Sequence, residues 1–250
     1  MSPVVNRSQP YMSAGKWSVD DEVHVWHYVL DVNTERKAGL KRMLNDEELD
    51  QAARYRFEKH RRRFIASRGT LRIIIARYLD CEPHRLHIGY GKHGKPYIVS
   101  ENSVQNIRFN ATNSHGLGAI AISRRSELGL DLEKVCSNDD YELVASRVFS
   151  TEEREWLIRL PEEERLSAFF ELWTCKEAYL KGKGFGLAVP PNHFSVSMDP
   201  EKEPRLSWSA IDDNDPQRWL FKKLSIEPGF VACLAVECGR CTVRSARWPA

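Results

Sequence analysis

No stretch of this chain approaches the ~20 consecutive apolar residues that a membrane-spanning helix needs, so no span and no membrane partner is expected. Met1 to Trp17 lacks the apolar centre of a secretory signal and reads as a short polar arm, which places the protein in the cytoplasm. The six cysteines, at 81, 136, 175, 233, 238 and 241, lack the density of a disulfide framework and are expected to be reduced thiols. Cys238 and Cys241 form one C-x-x-C, but no second such pair completes a four-ligand zinc site. The motif also lies in a tail rich in Arg and Gly, not at the strand-to-helix junction that a redox motif uses. Charge of one sign is missing too. Lys and Arg number 37 against 35 Asp and Glu, leaving a net charge of +2. A balance that close gives no field for a nucleic acid or a membrane surface, so anion binding must come from local clusters. No G-x-S-x-G elbow is present, and the scattered histidines form no ligand set.

What is present is enough to build a core: 42% of the 250 residues are hydrophobic and 10% aromatic. Val23 to Leu30 alternates and is rich in β-branched and aromatic residues, predicting a strand. Asn45-Asp46-Glu47-Glu48 supplies an N-cap and acidic first turn for a helix, and a longer helix is predicted from about Lys59 to Leu79. Short strands follow at Leu86 to Tyr90, Pro96 to Val99, Ile107 to Ala111, Leu117 to Ser123 and Leu128 to Glu133. A polar helix is expected over about Asp139 to Val148, and Ser150 to Glu153 caps another. A long helix covers Glu162 to Lys181, closed by glycines. Strands return at His193 to Ser197, Trp219 to Ile226 and Phe230 to Val236. Strand, helix and strand groups thus occur twice, without visible sequence repeat or linker. The expectation is an α+β protein of two similar halves, 1–126 and 127–250. Each half is a small antiparallel sheet on a long helix, and the active site lies in the cleft between them.

Four clusters carry candidate chemistry. In Gly129-Leu130-Asp131-Leu132-Glu133, strand alternation projects Asp131 and Glu133 from one face while Leu130 and Leu132 face a core. Paired carboxylates repel unless a cation lies between them, and hard cations such as Mg²⁺ favour such oxygens. Read alone, the same pattern also describes the solvated edge of an amphipathic strand. On the long helix, Trp173, Glu177 and Lys181 recur every four residues and share a stripe. Alone, Glu177 and Lys181 could equally form a surface pair with Trp173 packed inward. Lys59 to Arg63, with Arg68 and Arg72, forms an arginine cluster suited to phosphate, or simply a solvated helix face. Asn113-Ser114-His115-Gly116 and Gly94-Lys95-Pro96-Tyr97 read as polar loops presenting donors and one cation to an anion.

Taken in this order and spacing, G-x-D-x-E followed about forty residues on by W-x-x-K-E-A-x-x-K resembles the 4′-phosphopantetheinyl transferase superfamily. The resemblance is to its larger, single-chain pseudo-dimeric type. Gly94-Lys95-Pro96, Ser114-His115 and Glu227-Pro228-Gly229-Phe230 support it. The resemblance implies transfer of the phosphopantetheine arm of coenzyme A to a serine of an apo acyl, peptidyl or polyketide carrier protein, releasing 3′,5′-adenosine bisphosphate. It implies metal ligands at Asp131, Glu133 and Glu177 for Mg²⁺, with Mn²⁺ equally acceptable to oxygen ligands. It also implies catalytic roles for Glu177 and Lys181, and coenzyme A contacts from Arg63, Arg68, Lys95, Ser114, His115, Lys176 and Lys181. This sequence has Gly116 where the family often has Ser or Thr, and no lysines at Glu47 to Gln51. The two similar halves in one chain suit a monomer. Rival readings are a catalytically silent coenzyme A-binding module, which predicts coenzyme A binding without turnover, and, from Lys59 to Arg72, a nucleic-acid binder, which predicts steeply salt-dependent binding to DNA or RNA. Phe149, Trp156 and Leu157 offer either an apolar docking patch or core.

Overall fold

A computed structural model describes residue 17 and residues 21–99, 107–137, 140–199 and 201–249. The expected polar arm and the start of the helix expected from Asp139 lie outside the described residues.

The chain opens with strand β1 (Glu22–Val29) and two short helices, α1 (Thr34–Lys41) and α2 (Asp46–Ala53). The long helix α3 (Glu58–Leu79) follows, then the hairpin β2 (Ile88–Tyr90) and β3 (Pro96–Ile98). Strands β4 (Arg108–Ser114), β5 (Leu117–Ser123) and β6 (Leu128–Lys134) lead to α4 (Tyr141–Val148), α5 (Thr151–Arg159) and α6 (Glu162–Lys183). The chain continues through β7 (Phe194–Ser197), β8 (Arg205–Ser209), β9 (Trp219–Lys223), β10 (Phe230–Glu237) and β11 (Thr242–Arg247).

One sheet has the order β11-β1-β5-β4 and the other β6-β10-β9. Strand alternation builds the layers between them. Val23 and Val25 of β1 and Leu117, Ala119 and Ala121 of β5 meet Leu128, Leu130 and Leu132 of β6 in a core between the sheets. The opposite face of the first sheet, with Trp26, Tyr28, Ile120 and Ile122, packs on Ile65, Leu71, Ile74 and Ile75 of α3. The opposite face of the second packs on α6, where Cys175, Ala178 and Tyr179 meet Cys233 and Ala235. The result is four layers, helix on sheet on sheet on helix, and the α+β class is as expected.

Three features escaped the sequence pattern. Helix α1 occupies a stretch with few apolar residues and is started by the Asn33 side chain accepting from the Arg36 N–H. β8 was not anticipated. β11, in the tail rich in Arg and Gly for which no strand was expected, runs parallel to β1 and completes the sheet of the first half. Phe149 and Leu157 are core, with 2% and 4% of their surface exposed, which settles them as packing residues and not a docking patch. Cys238 and Cys241 fall in the turn between β10 and β11. All six cysteines are free thiols.

Candidate active site

The two sequence motifs are one physical object. β6 lies against α6 with their backbones in direct contact. A Cβ added at Gly129 would stand 2.0 Å from the Ala178 carbonyl oxygen and 2.3 Å from the Gly182 nitrogen. No side chain fits there, which accounts for the glycine that opens G-x-D-x-E; at Gly182, after Lys181, a Cβ would stand 2.5 Å from the Trp219 ring. The small Ala178 belongs to the same crossing. Because alternate residues of β6 share a face, Gly129, Asp131 and Glu133 all look toward α6, with Cys233 of β10 paired beside Asp131. The shared stripe of α6 carries Glu177 and Lys181 to that face.

Lys181 Nζ stands 2.5 Å from Asp131 Oδ1, 3.3 Å from Thr112 Oγ1 and 3.5 Å from the Leu130 carbonyl oxygen. Thr112 Oγ1 donates to Asp131 Oδ1 at 3.2 Å, and Ser114 Oγ donates to Glu133 Oε2 at 2.7 Å. Asn110 Oδ1 accepts the Leu130 N–H at 2.9 Å, and Ser114 Oγ also accepts the Lys134 N–H at 3.2 Å. Asn110, Thr112 and Ser114 alternate along β4, so one face of a strand from the first half stitches the acidic strand of the second. Thr112 was missed in the sequence. The run Asn110-Ala111-Thr112-Asn113-Ser114, with a small polar side chain at every second position, is the signal that could have found it.

Electrostatics mark the acidic cluster. Burial, with Asp131 next and Glu133 behind it, raises the Glu177 carboxyl above its ordinary value, and Lys181 opposes this. Burial also raises Glu133, reinforced by Asp131 and opposed by Ser114 and Lys181. Asp131 Oδ2 is buried and has no hydrogen-bond partner. Lys181 supplies the cation at Asp131 in this arrangement, and among the described residues no three acidic, His or Cys side chains converge as ready ligands of a metal. The donor set nevertheless suits a hard divalent ion. It consists of oxygens only, it includes an orphaned buried acceptor, and two of its carboxylates are held up by burial and mutual repulsion that a cation would reverse.

A cavity of about 730 Å³, within the range of small-ligand sites, lies against Ala111 and Asn113, the β4 residues that alternate with Thr112 and Ser114. Arg63, Arg68 and His115 line it together with Lys59, Tyr55 and Tyr90. Arg63 is held by two bonds to Asp31, Nε to Oδ1 at 2.7 Å and an Nη2 to Oδ2 at 2.5 Å. The hydrogen bond from Arg63 in turn keeps the Asp31 carboxyl below its usual range. A Cβ at Gly116 would come within 2.8 Å of Asp31 Oδ2, so the glycine that departs from the family pattern makes room for this pair. Arg68 bridges Glu48 (3.3 Å) and the Tyr90 hydroxyl (2.7 Å). His115 takes a left-handed backbone, φ 54°, that turns it toward the cavity while Ser114 stays on Glu133. Of the other arginines of the Lys59 to Arg72 cluster, Arg61 pairs with Glu58, and Arg72 is wholly buried and shares Glu48 with Arg68.

Two lysines differ from expectation. Lys95 does not line the cavity; it bonds Glu127 and the Gly182 carbonyl. Lys176 requires a correction. It is 1% exposed, both Glu153 oxygens accept from it at 2.7 Å and the Phe194 carbonyl accepts at 2.9 Å. One residue from Glu177 is a rotation of about 100° on a helix, which turns Lys176 into the core and away from any coenzyme A contact. Burial lowers its pKa, and Glu153 opposes that shift. Glu227 to Phe230 forms the β9–β10 turn, with Gly229 at φ 77°, and lines a second cavity of about 520 Å³ beside Glu171 and Thr174.

An acidic, metal-suited cluster with one poised lysine, opening beside a basic cavity, is the equipment of a phosphoryl-transfer site. The family model described as the 4′-phosphopantetheinyl transferase superfamily matches residues 127–235, and that described as 4′-phosphopantetheinyl transferase, N-terminal, matches residues 34–124. The 4′-phosphopantetheinyl transferase HetI of a Nostoc species is 36% identical over 204 residues, covering 78% of this chain and 86% of its own. A putative 4′-phosphopantetheinyl transferase of Synechocystis, slr0495, is 34% identical, covering 76% of this chain and 74% of its own. The 4′-phosphopantetheinyl transferase Sfp of Bacillus subtilis is 23% identical, covering 80% and 84%. The chain belongs to the 4′-phosphopantetheinyl transferase superfamily, and its enzymatic class is that of the larger, single-chain type.

Proposed function

We propose that this chain transfers phosphopantetheine from coenzyme A to the serine of an apo acyl, peptidyl or polyketide carrier protein, using the β6–α6 cluster as its catalytic centre. The observation that carries this is the Ser114–His115 step. Ser114 bonds the acidic cluster through Glu133 while the next residue lines the basic cavity, so a ligand anchored by its nucleotide end reaches the carboxylates with its pyrophosphate.

On this reading Arg63, Arg68 and His115 bind the anionic nucleotide end of coenzyme A, with the arginines offering fork geometry to phosphate. The carrier serine oxygen attacks the β-phosphorus. A new O–P bond forms, the bond from that phosphorus to the bridging oxygen breaks, and 3′,5′-adenosine bisphosphate leaves with the electron pair. Lys181 stands where it can neutralise charge growing on the pyrophosphate oxygens. Glu177 accepts the serine proton, a task suited to a carboxylate whose burial raises its proton affinity. Asp131, Glu133 and Glu177 would hold a Mg²⁺ or Mn²⁺, which supplies charge neutralisation and alignment of the diphosphate. The reading also has the chain acting as a monomer in the cytoplasm, which gel filtration and cell fractionation test; none of the described helices is long and apolar enough to cross a membrane.

The test is intact-mass measurement of apo carrier proteins of the three kinds, incubated with the chain, coenzyme A and Mg²⁺. A gain of one phosphopantetheine arm that disappears with chelator is the expected result. Coenzyme A binding without any gain across the panel would favour the silent binding module.

A further inference from the structure

The lysine of Gly94-Lys95-Pro96 sits in the turn of the β2–β3 hairpin, and its ammonium is spent on a junction of three elements. Nζ donates to Glu127 Oε2 at 2.6 Å and to the Gly182 carbonyl at 2.5 Å. Glu127 immediately precedes β6, the strand of Asp131 and Glu133. Gly182 directly follows Lys181 in the last turn of α6, where helix carbonyls lack intrahelical partners and favour a cation. The other Glu127 oxygen pairs with Arg108 Nε at 2.7 Å. The contact is packed as well as charged. Gly184 ends α6 in the left-handed conformation, φ 72°, and a Cβ there would stand 3.2 Å from the Lys95 side chain. Phe185 lies 6.3 Å from the His93 ring at the tip of the same hairpin. The hairpin's other side faces the basic cavity, which Tyr90 and Pro96 line. The wall of the proposed coenzyme A site and the end of the catalytic helix are therefore joined through one ammonium, and Glu127 sets where that ammonium stands.

We propose that Glu127 is a positioning residue for the transfer reaction. Acting through Lys95, it fastens the last turn of α6 to the hairpin and so sets where Lys181 and Glu177 meet a pyrophosphate held in the basic cavity. This rests on the roles given above to those two residues. Glu127 touches neither substrate nor the reacting atoms. Its loss misplaces the catalytic side chains without removing a coenzyme A contact, so the effect falls on turnover, where small displacements are costly.

The experiment compares Glu127→Gln, Glu127→Asp, Lys95→Met, the Glu127→Gln/Lys95→Met double variant and Arg108→Gln. Each is measured for kcat, KM for coenzyme A, melting temperature, and amide hydrogen exchange at residues 181–185. Glu127→Gln is expected to lower kcat about ten-fold with KM for coenzyme A within about two-fold, and Glu127→Asp to restore most of the loss. The double variant should be no slower than the worse single one, because both act through one link. Arg108→Gln, which leaves the Lys95 link intact, should change kcat by less than about two-fold. Exchange at 181–185 should quicken about ten-fold in Glu127→Gln. A changed KM with steady kcat would make Lys95 a coenzyme A ligand and overturn the proposal. A lower melting temperature with kcat unchanged per folded molecule would reduce Glu127 to a structural role and overturn it equally. Exchange decides the fastening without turnover: unchanged protection at 181–185 defeats it even if the unaltered chain transfers nothing, a result that would separately defeat the residue roles.

Discussion

The two long helices carry the same device, and only one of them carries the proposed catalytic pair, Glu177 and Lys181. α3 and α6 are each 22 residues long. Arg72 lies fourteen residues beyond Glu58 at the start of α3, and Lys176 fourteen beyond Glu162 at the start of α6. Both cations are buried, and each is paired with the glutamate of a preceding helix's capping box: Arg72 with Glu48 of Asn45/Glu48, Lys176 with Glu153 of Ser150/Glu153. Past that point the helices diverge. The positions that hold Glu177 and Lys181 in α6 hold Ile73 and Arg77 in α3, and Arg77 stacks on Trp248 at 4.7 Å. The repeated pair is scaffold, tying each long helix to the cap of a short one. The difference that follows it is where the proposed catalytic residues, Glu177 and Lys181, stand. This is why a lysine inside the most diagnostic motif turns out to be structural: its nearest relation in the molecule is Arg72, not Lys181.

The largest effect should come from the divergent positions. Lys181→Met is expected to cut turnover by about 10²–10³-fold, measured per folded molecule because the change also takes the cation from buried Asp131. Arg77→Met should leave turnover near normal, and a large loss there would erase the distinction between the helices. Next come the matched pairs. Lys176→Met strands the buried Glu153 and should cost about 3–5 kcal/mol in chemical denaturation, and Arg72→Met should cost less, because Arg68 still pairs with Glu48. A Lys176→Met protein that is stable yet inactive would break the correspondence. Gly129→Ala forces a methyl group into the backbone of α6 and should cost about 1–3 kcal/mol while lowering turnover, since it moves the strand that carries both acids. The smallest effect is one of pH, and it sets the first half apart. His24 and His27 are buried on β1, and desolvation lowers both below the ordinary 6.5. The folded state then binds protons less well than the unfolded chain, so their contribution is full above 6.5 and is lost as pH falls through it. As pH falls from 7.5 to 5.5, amide protection, taken relative to the intrinsic exchange rate at each pH, should weaken in β1 and β5 before β6 and β10. The reverse order would assign the acid sensitivity elsewhere.

The catalytic strand and helix were legible because their periods differ. Alternation put Asp131 with Glu133, and fourfold spacing put Glu177 with Lys181, so both faces could be drawn without knowing that they meet. The capping boxes at Asn45 and Ser150 were equally plain, being local hydrogen bonds written in adjacent residues. What stayed hidden was whatever depended on a distant partner. The contact of Lys176 with Glu153 crosses 23 positions, and β1 pairs with a strand more than two hundred residues away. Thr112 gains its meaning only when β4 is laid beside β6. Lys95 was read from its motif as an anion contact because nothing local shows that Glu127 and Gly182 lie within its reach.

The parallel pairing of β1 with β11 also bears on how the molecule is made. β1 must wait for β11, more than two hundred residues later, before its outer edge is covered. Through that interval its unpaired N–H and C=O groups offer a template to any neighbouring nascent chain. A pairing across so long a stretch of chain is of the kind that slows folding. Shortening the chain before Thr242 would leave the β1 edge bare and favour association between chains.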